Sequence, residues 1–274
     1  MLKNRLISAL ILSIGIVSLI FALPTDYLIY FILFLSCVSL AEFLGMRFSI
    51  ISTILLVCFS LTLFSLSYFF PGLNKAFISL GVMTYIGLFF LIISFPVNKP
   101  FIQRNLIWLI AGFAIHLSFF ASLYFLLLQE EKLLMYFGMD FTNRTAILII
   151  VSISALMDTL AYFGGRKFGK MKLLQNVSPN KTVEGVLIAI TLTPIIILLT
   201  TSSFIEKNFF QFFILILISA FASVLGDAVI SLFKRVAEVK DTSNLIPGHG
   251  GLLDRIDSHL ATIPIFITTL LIFS

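Results

Sequence analysis

The densest set of chemically competent side chains in this 274-residue sequence lies in residues 231–258. This segment contains a glycine-rich stretch, residues 247–251, within a chain that is otherwise mostly apolar. It also carries eight charged residues: Lys234, Arg235, Glu238, Lys240, Asp241, Asp254, Arg255 and Asp257. Charged groups at the end of a membrane helix are costly unless they pair or take part in chemistry. This density therefore indicates a site that handles a polar, anionic ligand.

Isolated acids in three further apolar runs are predicted to reach one depth, near the same face of the membrane. Asp227 lies seven residues before Lys234, the predicted end of its helix, and therefore about 10 Å inside that end. Asp158 lies at a similar distance before the glycines at 164–165, and Glu42 lies about one turn before the end of its run. An acid within an apolar helix costs roughly 2.5 to 3.5 kcal/mol on insertion scales, so we expect Asp227 to be paired or metal-bound.

Asp254 and Asp257 are spaced i, i+3 at the predicted start of the last helix, at the same depth. Acids in a first turn can simply stabilise the helix dipole, by about 0.3 to 1 kcal/mol each. Gly250 and Gly251, however, allow close backbone approach just upstream, where free N–H groups bind phosphate. Phosphate beside acids requires a cation, and Mg²⁺ commonly takes one or two carboxylates together with phosphate oxygens. We therefore expect Mg²⁺ at Asp227, Asp254 and Asp257, with a second ion if all three carboxylates converge.

The polar residues that follow Asp227 have helical spacing. Ser231, Lys234 and Arg235 lie four, seven and eight positions after it, so all share one helix face. Long basic side chains also reach the headgroup layer without any role in chemistry, and this interpretation stays open for Lys234 and Arg235. His249 is predicted to donate to a phosphate oxygen, whereas zinc is disfavoured because no cysteine or suitably spaced histidine accompanies it.

A second polar block spans residues 158–185 and places glycines beside arginine and lysine. Such a loop suits an anion, but basic loops are also usual on the cytoplasmic side of membrane proteins. Ser178 and Thr182 are predicted to cap the next helix, with Pro179 in its first turn. Capping and phosphate contact are compatible with each other.

The composition, 59% hydrophobic and 11% charged, predicts an all-α, polytopic membrane protein. Nine apolar runs, each long enough at about 20 residues to span a bilayer as a helix, supply the transmembrane segments. They begin near Leu6, Tyr27, Ile50, Ala76, Asn105, Thr145, Thr182, Phe209 and Leu252.

The placement of lysine and arginine predicts the orientation. A cytoplasmic N terminus leaves only four of the 18 basic residues outside, namely Lys75, Lys132, Arg144 and Lys207. The positive-inside rule therefore favours a cytoplasmic N terminus, an external C terminus and a site on the cytoplasmic side of the inner membrane. The net charge of +5 suits anionic headgroups or an anionic soluble ligand.

The two parts of the chain differ in polarity. Residues 1–144 carry almost no ionisable groups inside their apolar runs, which predicts a scaffold with lipid-facing surfaces, and a homodimer is compatible with it. Residues 145–274 have polar, glycine-rich cytoplasmic junctions and are predicted to form the catalytic half. Membrane lipids are expected partners, and nucleic acid is not.

The two polar blocks together resemble the CTP-dependent phosphatidate cytidylyltransferases, also called CDP-diacylglycerol synthases. The residues SLFKR at 231–235, KD at 240–241 and PGHGGLLDRID at 247–257 fill the fixed positions of that family's signature. The residues DTLAY at 158–162 and SPNKTVEG at 178–185 resemble its second conserved region. The likeness covers roughly residues 150 to 260, whereas the first 140 residues match only in hydropathy.

The resemblance implies transfer of a cytidylyl group from CTP to phosphatidate, with pyrophosphate as the second product. It assigns Asp227 and Asp254 to Mg²⁺ and Asp257 to a second metal contact or an orienting role. It assigns phosphate and pyrophosphate contacts to a basic set: Lys234, Arg235, Lys240, His249 and Arg255. The expected substrate-binding set is Asp158, Ser178, Lys181, Ser231, Gly250 and Gly251, in which Asp158 orients a cation.

Two other interpretations compete with this one. A CTP-dependent lipid alcohol kinase of the dolichol or phytol type would also use Mg²⁺ and cations, but it would phosphorylate a neutral hydroxyl and would need a base. An ion-coupled transporter would also carry intramembrane acids and broken helices. The acids cluster at one membrane face and no inverted repeat is visible, so the cytidylyltransferase interpretation is favoured.

Overall fold

The computed structural model describes residues 15–128, 142–203, 205, 207–246, 248 and 250–273. Within these residues, eight helices are long and apolar enough to cross a membrane. They are α1 Thr25–Gly45, α2 Ile50–Phe69, α3 Gly72–Ile93, α5 Asn105–Leu128, α6 Asn143–Phe168, α7 Val183–Thr201, α8 Phe209–Val236 and α9 Leu253–Phe273, with a short α4 at Lys99–Ile102. The prediction of an all-α, polytopic membrane protein is confirmed.

Each of these eight helices coincides with a predicted apolar run. The ninth run, which begins near Leu6, falls largely outside the described residues, although residues 15–22 are helical. Side-chain caps explain several starts: Ser49 accepts from the Ser52 N–H at 3.3 Å, and Thr142 accepts from the Thr145 N–H at 3.2 Å. Short hydroxyl side chains thus satisfy the free N–H groups that an apolar bundle leaves at helix starts.

The segment before α7 differs from the prediction. Residues Ser178–Thr182 form a strand, β2, that pairs antiparallel with β1, Lys172–Leu174. The helix therefore begins at Val183, and Pro179 lies in the strand instead of a first helical turn. The prediction that Thr182 caps this helix is confirmed, since its hydroxyl accepts from the Gly185 N–H at 3.2 Å. The prediction that Ser178 caps it is wrong, because Ser178 begins the strand.

An aromatic cluster joins three helices at the centre of the bundle. Phe43 of α1 lies 5.2 Å from Trp108 of α5 and 4.8 Å from Phe233 of α8, measured between ring centroids. All three rings are fully buried. Tilted and edge-to-face aromatic contacts of this kind are specific in geometry. The cluster therefore fixes the neighbouring residues Glu42 and Lys234 relative to each other.

Helices α2 and α3 expose large apolar side chains along much of their length, for example Leu55, Phe59, Met83 and Phe90. Such a surface is expected where a helix faces lipid. The proposed division at residue 144 stays a prediction, but helices from both sides of it contact one another, since α3 and α5 both pack against α9.

Contacts at one end of the bundle link the predicted cytoplasmic junctions. Arg47 donates to the Gln103 carbonyl at 2.8 Å, and Lys99 pairs with Glu238 at 2.8 Å. The hydrogen bond from Lys99 lowers the pKa of the exposed Glu238 carboxyl. These contacts gather the polar loops of the chain at a single face.

The orientation of this face can be tested with single cysteines. Gln175, between the two strands, and Ser203, after α7, are exposed at opposite ends of the bundle. In a background lacking Cys37 and Cys58, we expect Ser203→Cys to react with an impermeant thiol reagent in intact cells. Gln175→Cys should react only after permeabilisation, because the positive-inside rule predicts that its loop faces the cytoplasm. Labelling of Gln175→Cys from outside would reverse the predicted topology.

Candidate active site

Two carboxylates meet where α8 crosses α9. A Cβ atom on Gly226 would lie 2.6 Å from the Asp257 carbonyl oxygen and 2.9 Å from that of Ser258, so only glycine allows this approach. The side chains of Asp227 and Asp257 consequently interact directly, and Asp257 is only 8% exposed. Adjacent buried carboxylates repel each other unless a cation or a proton lies between them. The crossing therefore creates a site that favours positive charge.

Lys181 of β2 supplies one cation at this crossing. Its Nζ lies 2.6 Å from Asp227 Oδ2 and 3.9 Å from Asp158 Oδ1 on α6. Burial lowers the pKa of the Lys181 ammonium, but Asp227 and Asp158 raise that pKa by more, so it lies above its ordinary value. Lys181 therefore stays protonated at neutral pH and links the two polar blocks of the sequence.

The hairpin is fixed at both ends, which sets the position of Lys181. The Glu184 carboxylate at the start of α7 accepts from the backbone N–H groups of Lys170, at 3.0 Å, and Met171, at 3.2 Å. At the turn, Arg235 Nε donates to the Val177 carbonyl at 3.1 Å. A charged side chain from each of α7 and α8 thus holds this short sheet, which could not be stable alone.

A cavity of about 220 Å³ opens beside Lys181. Its polar lining includes Asp158, Ser178, Asn180, Lys181, Thr182 and Asp227. Tyr162 of α6 also lines it and is 62% exposed. The cavity therefore connects the Lys181–Asp227 pair with an exposed side chain of α6.

A second ion pair lies at the start of α9. Asp254 Oδ1 accepts from Lys234 Nζ at 2.7 Å, and the two side chains are 6% and 13% exposed. Asp254 Oδ2 accepts from the N–H groups of Thr242 and Gly251, each at 2.9 Å, and from the Thr242 hydroxyl at 3.0 Å. Glu42 of α1 binds the same loop through a further set of hydrogen bonds. Asp254 thus closes the glycine-rich loop onto the end of α8.

A family model for the Cytidylyltransferase family matches residues 3–273. The chain belongs to this family. It is 40% identical over 182 residues to a phosphatidate cytidylyltransferase of Haemophilus influenzae, which covers 64% of this chain and 62% of that relative. It is 43% identical over 120 residues to one of Bacillus subtilis, covering 43% and 44% of the two chains. One from Pseudomonas aeruginosa is 40% identical over 129 residues, covering 44% and 47%. The matched segments thus span about half to three-fifths of these relatives.

The carboxylates of this family member outnumber the cations that face them. Asp158, Asp227 and Asp257 surround Lys181, and Asp254 pairs with Lys234. Among the described residues, no three acidic, histidine or cysteine side chains form a ready-made metal cage. The adjacent carboxylates of Asp227 and Asp257 nevertheless fit Mg²⁺, which is often held by one or two carboxylates and completed by phosphate oxygens and water.

The remaining predicted site residues lie on α8, in the loop that follows it, or at the start of α9. Ser231 on α8 is 8% exposed, and the Gly251 N–H donates to Asp254 Oδ2 at 2.9 Å. Lys240 and Arg255 are exposed beside the loop, and the Gly250 carbonyl accepts from the Ile246 N–H at 2.8 Å. The His249 prediction lies outside the described residues. The roles assigned to these residues stay predictions.

The sequence did not predict three contributors to the site. Glu42 contacts the loop before α9 and accepts from the Ser243 hydroxyl, and the Thr242 hydroxyl donates to Asp254. One signal was present for Glu42, since it is the only acid of α1 apart from Asp26 in the first turn. Thr242 and Ser243 follow Asp241 in a loop where hydroxyl residues are common, and they carried no distinguishing pattern.

Proposed function

We propose that this protein transfers the cytidylyl group of CTP to phosphatidate, forming CDP-diacylglycerol and pyrophosphate. The observation that carries the proposal is the cluster in which Lys181 joins Asp158 to Asp227 beside Asp257, next to a cavity that extends to the exposed Tyr162 of α6. Family membership and the names of the curated relatives support the same reaction. The reaction would take place at the cytoplasmic face of the inner membrane, where CTP is available.

The reaction requires the protein mainly to position the reactants and to neutralise their charge. A phosphatidate oxygen attacks the α-phosphorus of CTP and forms a new phosphoanhydride bond, while the bond from that phosphorus to the bridging oxygen breaks and pyrophosphate departs. The lipid phosphate is already anionic near neutral pH, so no base is needed to create the nucleophile. Alignment of the reactants and neutralisation of their charge remain to be provided.

The residues divide between these tasks. Asp227 and Asp257 would hold Mg²⁺, which supplies positive charge to the phosphate oxygens when bound. Lys181 and Lys234 lie where they can contact anionic oxygens once the carboxylates that they now bind engage a metal. Tyr162 and Ser178, on the cavity wall, would border the lipid headgroup. The same proposal includes a second ion at Asp254, phosphate contacts from Lys240 and Arg255, and a homodimer.

The kinase alternative differs in its acceptor. A lipid alcohol kinase must remove a proton from a neutral hydroxyl, so one carboxylate would have to be free to act as a base. Asp227 is paired with Lys181 and Asp254 with Lys234, which makes these two acids weak candidates for that role. No observation favours the transporter.

Labelled CTP separates the transferase from the kinase. With purified protein, Mg²⁺ and phosphatidate, we expect label from the α-phosphate of CTP in the lipid product and label from the γ-phosphate in pyrophosphate. The reason is that the attack occurs at the α-phosphorus, so the β- and γ-phosphates leave together. Diacylglycerol should not replace phosphatidate. Appearance of γ label in lipid, or equal turnover with diacylglycerol, would establish a kinase instead.

A further inference from the structure

The carboxylate of Glu42 lies at the start of a helix that is distant from it in sequence. Glu42 lies three residues before the end of α1 at Gly45 and is 9% exposed. It accepts hydrogen bonds from three groups of the loop before α9: Ser243 Oγ at 2.6 Å, Leu252 N at 3.0 Å and Leu253 N at 2.6 Å. The Thr242 hydroxyl, whose single proton is closer to Asp254, lies 3.3 Å from Glu42 Oε2. Two of these donors are backbone N–H groups at the beginning of α9, which have no partner within their own helix.

We propose that Glu42 is a positioning residue for the active site. By capping α9 from a neighbouring helix, it holds Asp254 against Lys234 and keeps Asp257 at the crossing with Asp227. The link to catalysis rests on the proposed function, whereas the link to loop order does not. A carboxylate at a helix N-terminus is favourable for charge as well as hydrogen bonding.

Glu42 and Asp254 clamp the loop between them. The Thr242 hydroxyl lies within hydrogen-bonding distance of both carboxylates, 3.3 Å from Glu42 Oε2 and 3.0 Å from Asp254 Oδ2. A Cβ atom on Gly251 would lie 2.6 Å from Glu42 Oε2 and would also overlap the Thr242 hydroxyl. The glycine is therefore needed so that the backbone can approach Glu42 while its own N–H binds Asp254. Loss of Glu42 removes one side of this clamp.

The base of the Glu42 side chain is itself rigid. Its neighbour Phe43 is fully buried and contacts both Trp108 and Phe233, and Phe233 immediately precedes Lys234. The same aromatic cluster thus carries Glu42 on one side and Lys234 on the other. Supporting residues fixed by packing in this way are what keep a site in its productive geometry.

The donors around Glu42 require a carboxylate and not merely a polar group. Oε1 faces the Leu252 N–H and Oε2 faces the Leu253 N–H, and neither backbone group can act as an acceptor. A glutamine has one acceptor oxygen, so its NH₂ group would face an N–H donor in either orientation. The isosteric change Glu42→Gln should therefore disrupt the loop. Glu42→Asp keeps two acceptor oxygens on a shorter side chain and should disrupt it less.

The test compares Glu42→Gln, Glu42→Asp and Asp26→Asn in the full-length protein. Asp26 is the matched control, because it is an exposed acid at the opposite end of the same helix. We expect Glu42→Gln to reduce kcat about 10- to 100-fold, the range typical of residues that orient a metal site, with a smaller change in KM for CTP. Glu42→Asp should retain more activity than Glu42→Gln, and Asp26→Asn should match the parent protein.

Amide hydrogen exchange provides a readout that needs no substrate. In Glu42→Gln, exchange should accelerate in peptides covering residues 241–253 and stay unchanged in those covering α6. Three results would overturn the proposal: unchanged exchange in that loop, a uniform increase that includes α6, or Glu42→Gln turnover within twofold of the parent. Faster exchange in the loop alone would support the clamp even if the enzyme acted on another substrate, so failure of the proposed reaction and failure of the clamp are distinguishable.

Discussion

Asp227→Asn is expected to reduce turnover about 10³-fold while the protein still folds and inserts, equivalent to roughly 4 kcal/mol of lost transition-state stabilisation. Asp227 is the acid closest to Lys181, at 2.6 Å, and it directly contacts Asp257. An asparagine has nearly the same volume, so the packing of α8 against α9 should persist. What is lost is one negative charge at the point where Mg²⁺ and the phosphates would meet.

The measurements are kcat as a function of Mg²⁺ concentration and the thermal melting temperature. Half-maximal rate should require more Mg²⁺ in Asp227→Asn. Melting should change little, because Asp158 and Asp257 remain as counter-charges for Lys181 and the repulsion between Asp227 and Asp257 is removed. Asp158→Asn offers a graded comparison, because its carboxylate is 3.9 Å from Lys181 and its side chain is 54% exposed. It should lose only about tenfold, as expected for a residue that orients another. Normal activity of Asp227→Asn at low Mg²⁺ would disprove the metal assignment.

The helices could be predicted from sequence because apolar length is a local property. A run of about 20 apolar residues can satisfy its backbone in lipid only as a helix, whatever its neighbours are. The predicted starts near Tyr27, Ala76 and Leu252 lie close to the observed starts at Thr25, Gly72 and Leu253. The shared depth of Asp158, Asp227 and Asp257 was predictable for the same reason, since helix rise converts residue number into depth.

The hairpin and the cross-chain contacts could not be predicted in this way. The strand SPNKT has a proline and no alternation of apolar residues, and it is held by Glu184 and Arg235, which lie outside it. Glu42 contacts a loop some 200 residues away, and helical periodicity carries no information about which helices become neighbours. The pairing of Lys181 with Asp227 could not be predicted for the same reasons, because Lys181 lies in the hairpin and Asp227 lies on a helix distant in sequence. Motif resemblance assigned both residues to the predicted site without revealing that they bind each other.

Lys234→Met should nearly abolish activity and also destabilise the protein, and the double variant Lys234→Met/Asp254→Asn separates the two effects. The pair is almost completely buried, with Lys234 Nζ 2.7 Å from Asp254 Oδ1. Removing the lysine leaves a buried carboxylate without its counter-ion, at a cost of about 3 kcal/mol. A buried lysine at this position would also contact phosphate oxygens during the reaction, which Met cannot do.

In the double variant Lys234→Met/Asp254→Asn the unpaired buried charge is gone. Its melting temperature should therefore recover most of the loss seen in Lys234→Met, although an asparagine cannot satisfy all the donors that Thr242 and Gly251 present to Asp254. Turnover should not recover, because neither the cation nor the carboxylate has been restored. If the double variant regained more than half of the parent activity, Lys234 would be only a structural counter-ion and the phosphate-binding role would be wrong.

The pair formed by Lys99 and Glu238 is the matched control for this experiment. It is also a lysine–carboxylate contact at the same face, at 2.8 Å, but its side chains are 32% and 76% exposed. Exposed ion pairs contribute about 0 to 1 kcal/mol because water already solvates both partners. Lys99→Met should therefore change melting and turnover little, alone or with Glu238→Gln. The contrast between the two pairs tests burial as the cause of the lost stability, since both are lysine–carboxylate contacts at nearly the same distance, 2.7 Å and 2.8 Å.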